Sequence, residues 1–291
     1  MAIATFSIVA YDATEQAWGV AVASKFLAAG ALVSWAQAGA GAVATQSFAR
    51  VSFGPNGLAL LAQGKSAPEV LAALLANDAR AQQRQVGIVD AQGRSAAHTG
   101  KECHDWAGHR SGEGFSVQGN MLAGSSVLDA MIDGYKAAHG ELADRLVAAL
   151  AAGDAAGGDK RGRQAAAVLV ARPNGGYGGD TDRYLDLRVD DDEQPIKKLK
   201  QLVSAHHLFF GAPLPEDQLP ITPEIARELQ QIMLKQGYYG GGVDGQWDAV
   251  SQQAFWSLVG NENLEERWSP DHNPEMIDRI ALEYLRRRFG G

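Results

Sequence analysis

Cysteine is almost missing from this sequence, since Cys103 is the only one among 291 residues. A single thiol cannot close an intramolecular disulfide, and it cannot build a zinc site from several cysteines. The sequence therefore excludes a fold that depends on disulfide bonds and a multi-cysteine zinc centre.

Positive charge and long apolar runs are also scarce. Lys and Arg total 26 against 34 Asp and Glu, which gives a net charge of −8. Nucleic acids and anionic membranes favour basic proteins, so neither is expected as a main partner. No apolar run approaches the ~20 residues of a membrane span. Residues 1–4 lack the basic start and long apolar segment of a secretory signal, so we expect a cytoplasmic protein.

The composition is that of a globular protein with a large core. Hydrophobic residues make up 46% and charged residues 21% of the chain. The stretch 212–220 reads Ala-Pro-Leu-Pro-Glu-Asp-Gln-Leu-Pro, which is typical of a linker. We therefore predict a large domain over 1–211, a linker over 212–220 and a small helical domain over 221–291.

The first 46 residues predict two β-hairpins. The strands are expected over 5–10, 18–23, 31–37 and 42–46, because these segments are rich in β-branched and small apolar residues. They are apolar at nearly every position rather than alternating, which indicates sheets that are covered on both faces.

The rest of the large domain predicts helix pairs and strands in turn. Strands are expected over 84–90, 94–99, 115–120, 164–171 and 184–190, helices over 57–62, from 66 onward, 125–138, 141–151 and 196–210, and a loop over 103–114. In 184–190 the alternation places Leu185, Leu187 and Val189 on a core face, with Tyr184, Asp186, Arg188 and Asp190 opposite. This order predicts helices on both outer faces of two packed sheets.

Nine motifs in the large domain together resemble one known family. In chain order they are TFSIVAYD, GVAVASKF, AGAGAVATQ, RQVGIVD, AAHTG, WAGH, VQGN, GGDKRGRQ and DRYLDLRVDD. As an ordered set over about 4–205 they resemble domain-of-unknown-function family 1028, which is N-terminal-nucleophile-hydrolase-like. The resemblance implies an α+β fold, a four-layer αββα sandwich. It implies no substrate.

The C-terminal part resembles a second kind of module. The run ELQQIMLKQGYYGGGVDGQWDAVSQQAFWSLV is similar to the small helical peptidoglycan-binding module, which would make a peptidoglycan fragment a partner. Helices are predicted over 226–236, 247–259 and 274–289. Four aromatic residues could stack on sugars, but their helical spacing favours a place in the core of the module: Tyr238, Tyr239, Trp247 and Trp256.

Thr5 is the candidate nucleophile that the first resemblance implies. An N-terminal nucleophile uses its own α-amine as the general base, so it must become the first residue. A cut between Ala4 and Thr5 is therefore required, and the hydroxyl and freed amine must lie at the mouth of a cleft between the sheets. The alternative is that Thr5 is only a β-former that opens a strand.

Three further residues are candidates for the catalytic machinery. By the resemblance, Lys25 lies near the nucleophile and lowers the pKa of its amine or hydroxyl; otherwise it is a lysine at a strand end. Gln118 and Asn120 flank Gly119 and offer amide donors for an oxyanion hole. The same residues would also suit a turn.

The candidate substrate-binding residues are polar groups near the predicted strand ends and in a glycine-rich loop: Ser7, Thr45, His109, Asp159, Arg161, Arg163, Asp186 and Arg188. Arginine forks suit the carboxylate or phosphate of a small acidic substrate. The alternative is a solvated loop that forms salt bridges with the Asp186/Arg188/Asp190 face.

No metal or other cofactor is expected. His98, Cys103, His104, Asp105 and His109 are ligand types, but their spacing matches no zinc pattern. His104 and His109 are instead predicted to orient the loop or to line a pocket.

Together these observations predict an N-terminal-nucleophile amidohydrolase that cleaves a C–N bond of a small, acidic substrate. The alternative is a non-catalytic protein that binds a small metabolite or a cell-wall fragment on the same fold. A homo-oligomer is expected. Nucleic acid and membrane are not expected as partners.

Overall fold

The computed structural model of the chain describes residues 5–76 and 78–290 and divides into two compact units, Met1–Val203 and Ser204–Gly291. This division lies before the predicted linker 212–220. Leu208, which precedes the predicted linker, already belongs to the core of the second unit, and Gln218–Pro220 within that linker forms one of its strands.

The first unit alternates strands and helices. Its elements are β1 (Thr5–Asp12), β2 (Ala17–Ser24), α1 (Ala29–Val33), β3 (Ser34–Gln37), β4 (Gly41–Ser47), α2 (Phe53–Ala62), α3 (Ala67–Ala76), β5 (Arg84–Asp90), β6 (Ser95–Thr99), β7 (Gly108–Gly112), β8 (Phe115–Asn120), α4 (Ser126–Ala137), α5 (Leu142–Ala155), β9 (Ala165–Ala171), β10 (Arg183–Val189) and α6 (Pro195–Phe210), whose last residues belong to the second unit.

Within 5–76 and 78–290 the strands of this unit form two antiparallel sheets. The large sheet has the order β10-β9-β2-β1-β8-β7, and the small sheet has the order β3-β4-β5-β6. Both sheets are antiparallel throughout. The mixed α and β class with antiparallel sheets is therefore confirmed.

The inner faces of the two sheets pack against each other. Val9, Val20 and Val22 of the large sheet share a buried cluster with Ala44 and Val89 of the small sheet. The large sheet's other face turns Phe6 and Ile8, among others, toward α4 and α5. Val43 and Ile88 likewise face α2 and α3. Because side chains alternate across a strand, both faces of β1 and β4 are buried, which explains their continuous apolar character.

Three local predictions were wrong, each for a tertiary reason. The segment 31–37 is the end of α1 and β3 rather than one strand: Gly30 lies so close to β9 that an added Cβ would be 2.3 Å from Ala167 Cβ. Residues 108–112, predicted as loop, form β7, whose polar residues are tolerated because this strand is an edge of the described sheet. The helix predicted over 141–151 continues to Ala155, because Gly153 within it allows close packing on Met131.

The second unit is built from capped helices and one strand pair: β11 (Gln218–Pro220), α7 (Pro223–Lys235), α8 (Ala249–Asn261), β12 (Met276–Asp278) and α9 (Arg279–Phe289). Thr222, Asp248 and Asp278 accept backbone N–H groups at the three helix starts. Tyr239 is buried in the core, and Tyr238, Trp247 and Trp256 pack against that core. Their interpretation as core residues is confirmed.

None of the helices in the described ranges combines the length and the apolar character that crossing a membrane requires.

Candidate functional site

A cluster of buried polar side chains replaces the apolar packing at one end of the space between the sheets. It consists of Ser7, Gln46, Gln85, Gln118 and Asn120, here called the amide cluster, and all five are fully buried. They come from β1, β4, β5 and β8 and lie on the inner faces, where Val9, Ala44 and Val89 follow further along the strands. Buried polar groups are retained at low cost only when they are hydrogen-bonded, so their partners are decisive.

Ser7 and Gln118 are held within one part of this cluster. The Ser7 hydroxyl donates to Gln46 Oε1 at 2.6 Å and accepts from Gln118 Nε2 at 2.7 Å. Gln118 Nε2 also donates to the Ser7 carbonyl, and Gln118 Oε1 accepts from the Ser116 hydroxyl. The donor of Gln118 is therefore engaged by Ser7, so it is not free to serve as the predicted oxyanion donor for Thr5.

Gln85 fixes the orientation of Asn120. Its Nε2 donates to the carbonyl oxygens of Gly119 and Gly108 at 2.7 and 3.0 Å, which places its Oε1 on the other side. That oxygen accepts from Asn120 Nδ2 and from Gln46 Nε2, both at 2.9 Å. Asn120 Oδ1 is consequently the atom left over, and it is buried without a hydrogen-bond partner among the described residues. The available atom of Asn120 is thus an acceptor, whereas the sequence predicted a donor.

Thr5 lies directly opposite Asn120 in the pairing of β1 with β8. Its side chain is on the same inner face, and its hydroxyl donates to Ser24 Oγ at 3.1 Å. Thr5 is fully buried. The expectation that its hydroxyl would lie at the mouth of a cleft is therefore not met in the uncut chain. Ala4, on the other side of the required cut, lies outside the described residues.

Lys25 directly follows the last residue of β2. Its side chain is exposed, and its backbone N–H donates to Asp159 Oδ2 at 2.9 Å. The buried Asp159 also accepts from the backbone N–H and guanidinium of Arg161. Asp159 and Arg161 therefore clamp the glycine-rich loop to the end of β2.

Arg163 and Thr45 also lie apart from Thr5. Arg163 pairs with Asp154 at 2.7 Å, so the loop forms its salt bridges with Asp154 and Asp159 rather than with the face of Asp186. The Thr45 hydroxyl donates to the Arg50 carbonyl at 3.4 Å. Since Gln46 points to the inner face, alternation along β4 turns Thr45 to the outer face of the small sheet.

His109 extends the hydrogen-bond network of the amide cluster outward. Its Nδ1 lies 2.9 Å from Thr99 Oγ1, which in turn accepts from Gln85 Nε2 at 3.0 Å. Burial lowers the pKa of His109, and the neighbouring His98 and Arg110 lower it further, so the ring is neutral at pH 7. His109 is therefore a half-buried support for Gln85.

The other ligand types of this region do not converge. Cys103 is buried, burial raises the pKa of its thiol, and its Sγ donates to the Arg84 carbonyl. His104 packs against Phe48. In the described part of the chain, no three His, Cys, Asp or Glu side chains form a group that could hold a metal ion.

Asp186 and Arg188 line a separate cleft of about 430 Å3 in the first unit. Neither Thr5 nor Arg161 lines this cleft, so the predicted substrate-binding residues fall into two places. The strand pairing shifts between Arg183 and Leu185. This bulge turns Tyr184 into the core and leaves Arg183 with Asp186 and Arg188 on the opposite face.

The second unit has a cleft of its own, of about 600 Å3. Its lining includes the buried Trp268 together with Gln218, Ser269, His272 and Asn273. Glu265, Glu266 and Arg267 also line it, so polar and charged groups that can hydrogen-bond a sugar or peptide dominate the cleft, and little of the Trp268 ring is accessible.

Gln46, Gln85 and Arg183 were not among the site residues that the sequence predicted. Gln46 and Gln85 are amides within otherwise apolar strands, and that contrast was the available signal. The position of Arg183 depends on the bulge, for which the alternating pattern gives no sign.

Comparison with known proteins follows the division into units. Residues 5–199 match the model of the "Family of unknown function (DUF1028)". The chain belongs to this family. The crystal structure of the DUF1028 protein SPO2555 from Silicibacter pomeroyi is similar with 30% sequence identity and a TM-score of 0.65, and the match covers 74% of this chain and 93% of that chain. None of the curated proteins is similar enough to match.

The DUF1028 match ends before the second unit. Residues 209–285 match a different model, described as "Putative peptidoglycan binding domain". The chain therefore joins a DUF1028 domain, which contains the amide cluster and the 430 Å3 cleft, to a peptidoglycan-binding-like domain that contains the 600 Å3 cleft.

Proposed function

We propose that this DUF1028 protein is a latent amidohydrolase of the N-terminal-nucleophile type, activated by a cut between Ala4 and Thr5. The proposal includes the assignment of its two packed sheets and outer helices to the αββα sandwich of such hydrolases. The observation that carries it is the position of Thr5 opposite Asn120, with the Thr5 hydroxyl 3.1 Å from Ser24 Oγ and with Asn120 Oδ1 buried without a partner among the described residues.

The chemistry follows from a Thr5 that has a free amine. An α-amine has a pKa near 8, so about a tenth of it is neutral and basic at pH 7, far more than of a lysine amine. It takes the proton from the Thr5 hydroxyl as Oγ1 attacks the amide carbon of the substrate, and it then gives that proton to the departing amine as the C–N bond breaks. Water hydrolyses the resulting ester and releases a carboxylic acid.

Asn120 takes a new role in this proposal. Its Oδ1 is an acceptor, and the cut converts the single peptide N–H of Thr5, on the residue opposite, into an α-amine with additional N–H donors. This contact would orient the amine toward the hydroxyl. The proposed mechanism assigns no role to Lys25, whose side chain is exposed in the uncut chain, or to Gln118, whose amide is engaged by Ser7.

The uncut chain is expected to be inactive, because Thr5 is buried and its nitrogen belongs to a peptide bond. Intact-mass spectrometry and N-terminal sequencing of the purified full-length protein test this step. We expect a species that begins at Thr5. Finding only chains that begin at Met1 or Ala2, under all conditions in which amide hydrolysis is detected, would contradict the proposal.

A second function is proposed for the second unit, namely binding of a peptidoglycan fragment. The family match over residues 209–285 and the Trp268-lined cleft favour it. In a sedimentation assay with purified peptidoglycan, we expect the full chain to co-sediment. His272→Ala, at the exposed rim of the cleft, should weaken binding about fivefold, which corresponds to one hydrogen bond.

The matched control is His139→Ala, which changes an exposed histidine of the first unit and should leave binding unchanged. Equal sedimentation of all three proteins with peptidoglycan and with an unrelated insoluble polysaccharide would show that the cleft does not recognise the cell wall.

A further inference from the structure

The 430 Å3 cleft lies at the edges of the two sheets, with lining residues from β3, β9 and β10. In the described chain, β10 is an edge of the large sheet and β3 is an edge of the small sheet. The pairing of β10 with β9 sets Arg183, Asp186 and Arg188 opposite Ala171, Leu169 and Ala167, respectively. All six line the cleft, so a charged row lies beside an apolar floor.

The charges in this row are not equivalent. Arg188 donates to both oxygens of Asp186, from Nε at 2.9 Å and from Nη2 at 3.0 Å, which neutralises that pair. Asp182 accepts the backbone N–H of Asn174. Arg183 Nη1 lies 3.7 Å from Asp186 Oδ2, and the Arg183 side chain is 69% exposed. It makes no side-chain hydrogen bond to the described residues. Its guanidinium therefore has N–H donors to spare in the cleft.

The opposite wall is apolar and held in place. Trp35 of β3 donates its ring N–H to the Leu32 carbonyl at 3.1 Å. Gly54 packs against the ring so closely that an added Cβ would be 2.3 Å from it. With its orientation set from two sides, the ring needs little ordering when a ligand binds. Leu58, Leu169 and several alanines complete a surface suited to the apolar body of a ligand.

A buried hydroxyl beside the cleft also lacks a hydrogen-bond partner among the described residues. Ser34, a lining residue, has an Oγ that is shielded from solvent and has no partner in the described chain. Buried hydroxyls are normally satisfied, so a turn of this side chain toward a polar ligand group would recover a bond that the protein alone does not make.

We infer that this cleft binds an amphipathic carboxylic acid, with its carboxylate on Arg183 and its apolar or aromatic body on Trp35, Leu169 and the alanine floor. A guanidinium fork matches a carboxylate in shape and charge. The volume lies in the range of small-molecule sites. Thr5 does not line the cleft, so the site is independent of the proposed hydrolase.

Calorimetric titration of the full chain with 2-naphthoate tests the site. The neutral 2-naphthamide, acetate, and 2-naphthyl phosphate serve as comparison ligands. We expect naphthoate to bind about tenfold or more tightly than the amide, because only the carboxylate pairs with Arg183, and acetate to bind weakly, because it lacks the body. Arg183→Ala should remove this preference for the acid, and Arg183→Lys should restore part of it.

Arg80→Ala is the matched control, because it removes an exposed arginine that does not line the cleft. It should leave the naphthoate affinity unchanged. Three results would overturn the inference: no heat of binding with naphthoate at millimolar concentration, equal affinity for acid and amide, or an undiminished affinity in Arg183→Ala. Binding of the phosphate without the carboxylate would overturn the carboxylate assignment.

Discussion

A chain that begins at Thr5 is expected to hydrolyse amides, and the same chain with Thr5→Ala is expected to lose that activity by about a thousandfold or more. The reason is that Thr5 would supply both the attacking hydroxyl and, through its α-amine, the base. Thr5→Ser keeps both groups and should retain activity. The measurement is release of primary amine from a panel of small amide substrates, with each chain produced by removing a leader at a specific site so that residue 5 comes first.

Two controls separate catalysis from folding. Thr14→Ala changes an exposed threonine in the turn after β1 and should leave the rate unchanged. Thr5→Ala also removes the hydrogen bond to Ser24, for which we expect a loss of about 1 kcal/mol of folding free energy, too little to unfold the domain. Equal rates for the chain that begins at Thr5 and for its Thr5→Ala variant would exclude Thr5 as the nucleophile.

Gln85→Leu is expected to destabilise the DUF1028 domain by about 3 to 5 kcal/mol, although leucine has a similar volume. Gln85 Oε1 is the acceptor for Gln46 and Asn120, and its Nε2 is a donor for the Gly108 and Gly119 carbonyls. After the change, both polar atoms of Asn120 would be buried without a partner. Leaving several buried groups unsatisfied costs more than the hydrogen bonds themselves contribute.

Urea unfolding followed by circular dichroism measures this loss. Gln63→Leu is the matched control, because Gln63 is exposed after α2, and its effect should stay within about 0.5 kcal/mol. The double variant Gln85→Leu with Asn120→Leu should recover part of the loss, because it removes the orphaned amide as well. Similar midpoints for wild type and Gln85→Leu would show that the amide cluster does not stabilise the domain.

How much of the candidate site was predictable depends on the range of the interactions. Thr5 was named from the family resemblance, Gln118 and Asn120 for their amides beside Gly119, and Ser7 as a polar group near a strand end. All four do lie on the inner face of one sheet. Their partners Gln46 and Gln85 come from the opposite sheet. Local patterns carry no information on which strands of two sheets face each other, so the hydrogen bonds that orient Asn120 could not be inferred.

Strand boundaries show the same limit. The alternation in 184–190 correctly placed Leu185 toward the core, but the bulge moved Tyr184 to that side and brought Arg183 into the cleft row. Likewise α5 continues beyond the predicted end at residue 151, because Gly153 is a contact point between α4 and α5. In each case a packing contact outweighed the local preference of the residue.

The sequence by itself determined the α+β class, the alternation of strands and helices, and the presence of two different domains, because these follow from apolar periodicity and from motifs that are continuous in the chain. The tertiary structure alone decided that Thr5 is buried in the uncut chain, that Thr45 turns away from it, and that Arg161 and Asp186 do not share a site. Those facts depend on sheet order, register and the facing of two sheets, which are set by contacts between residues far apart in the chain.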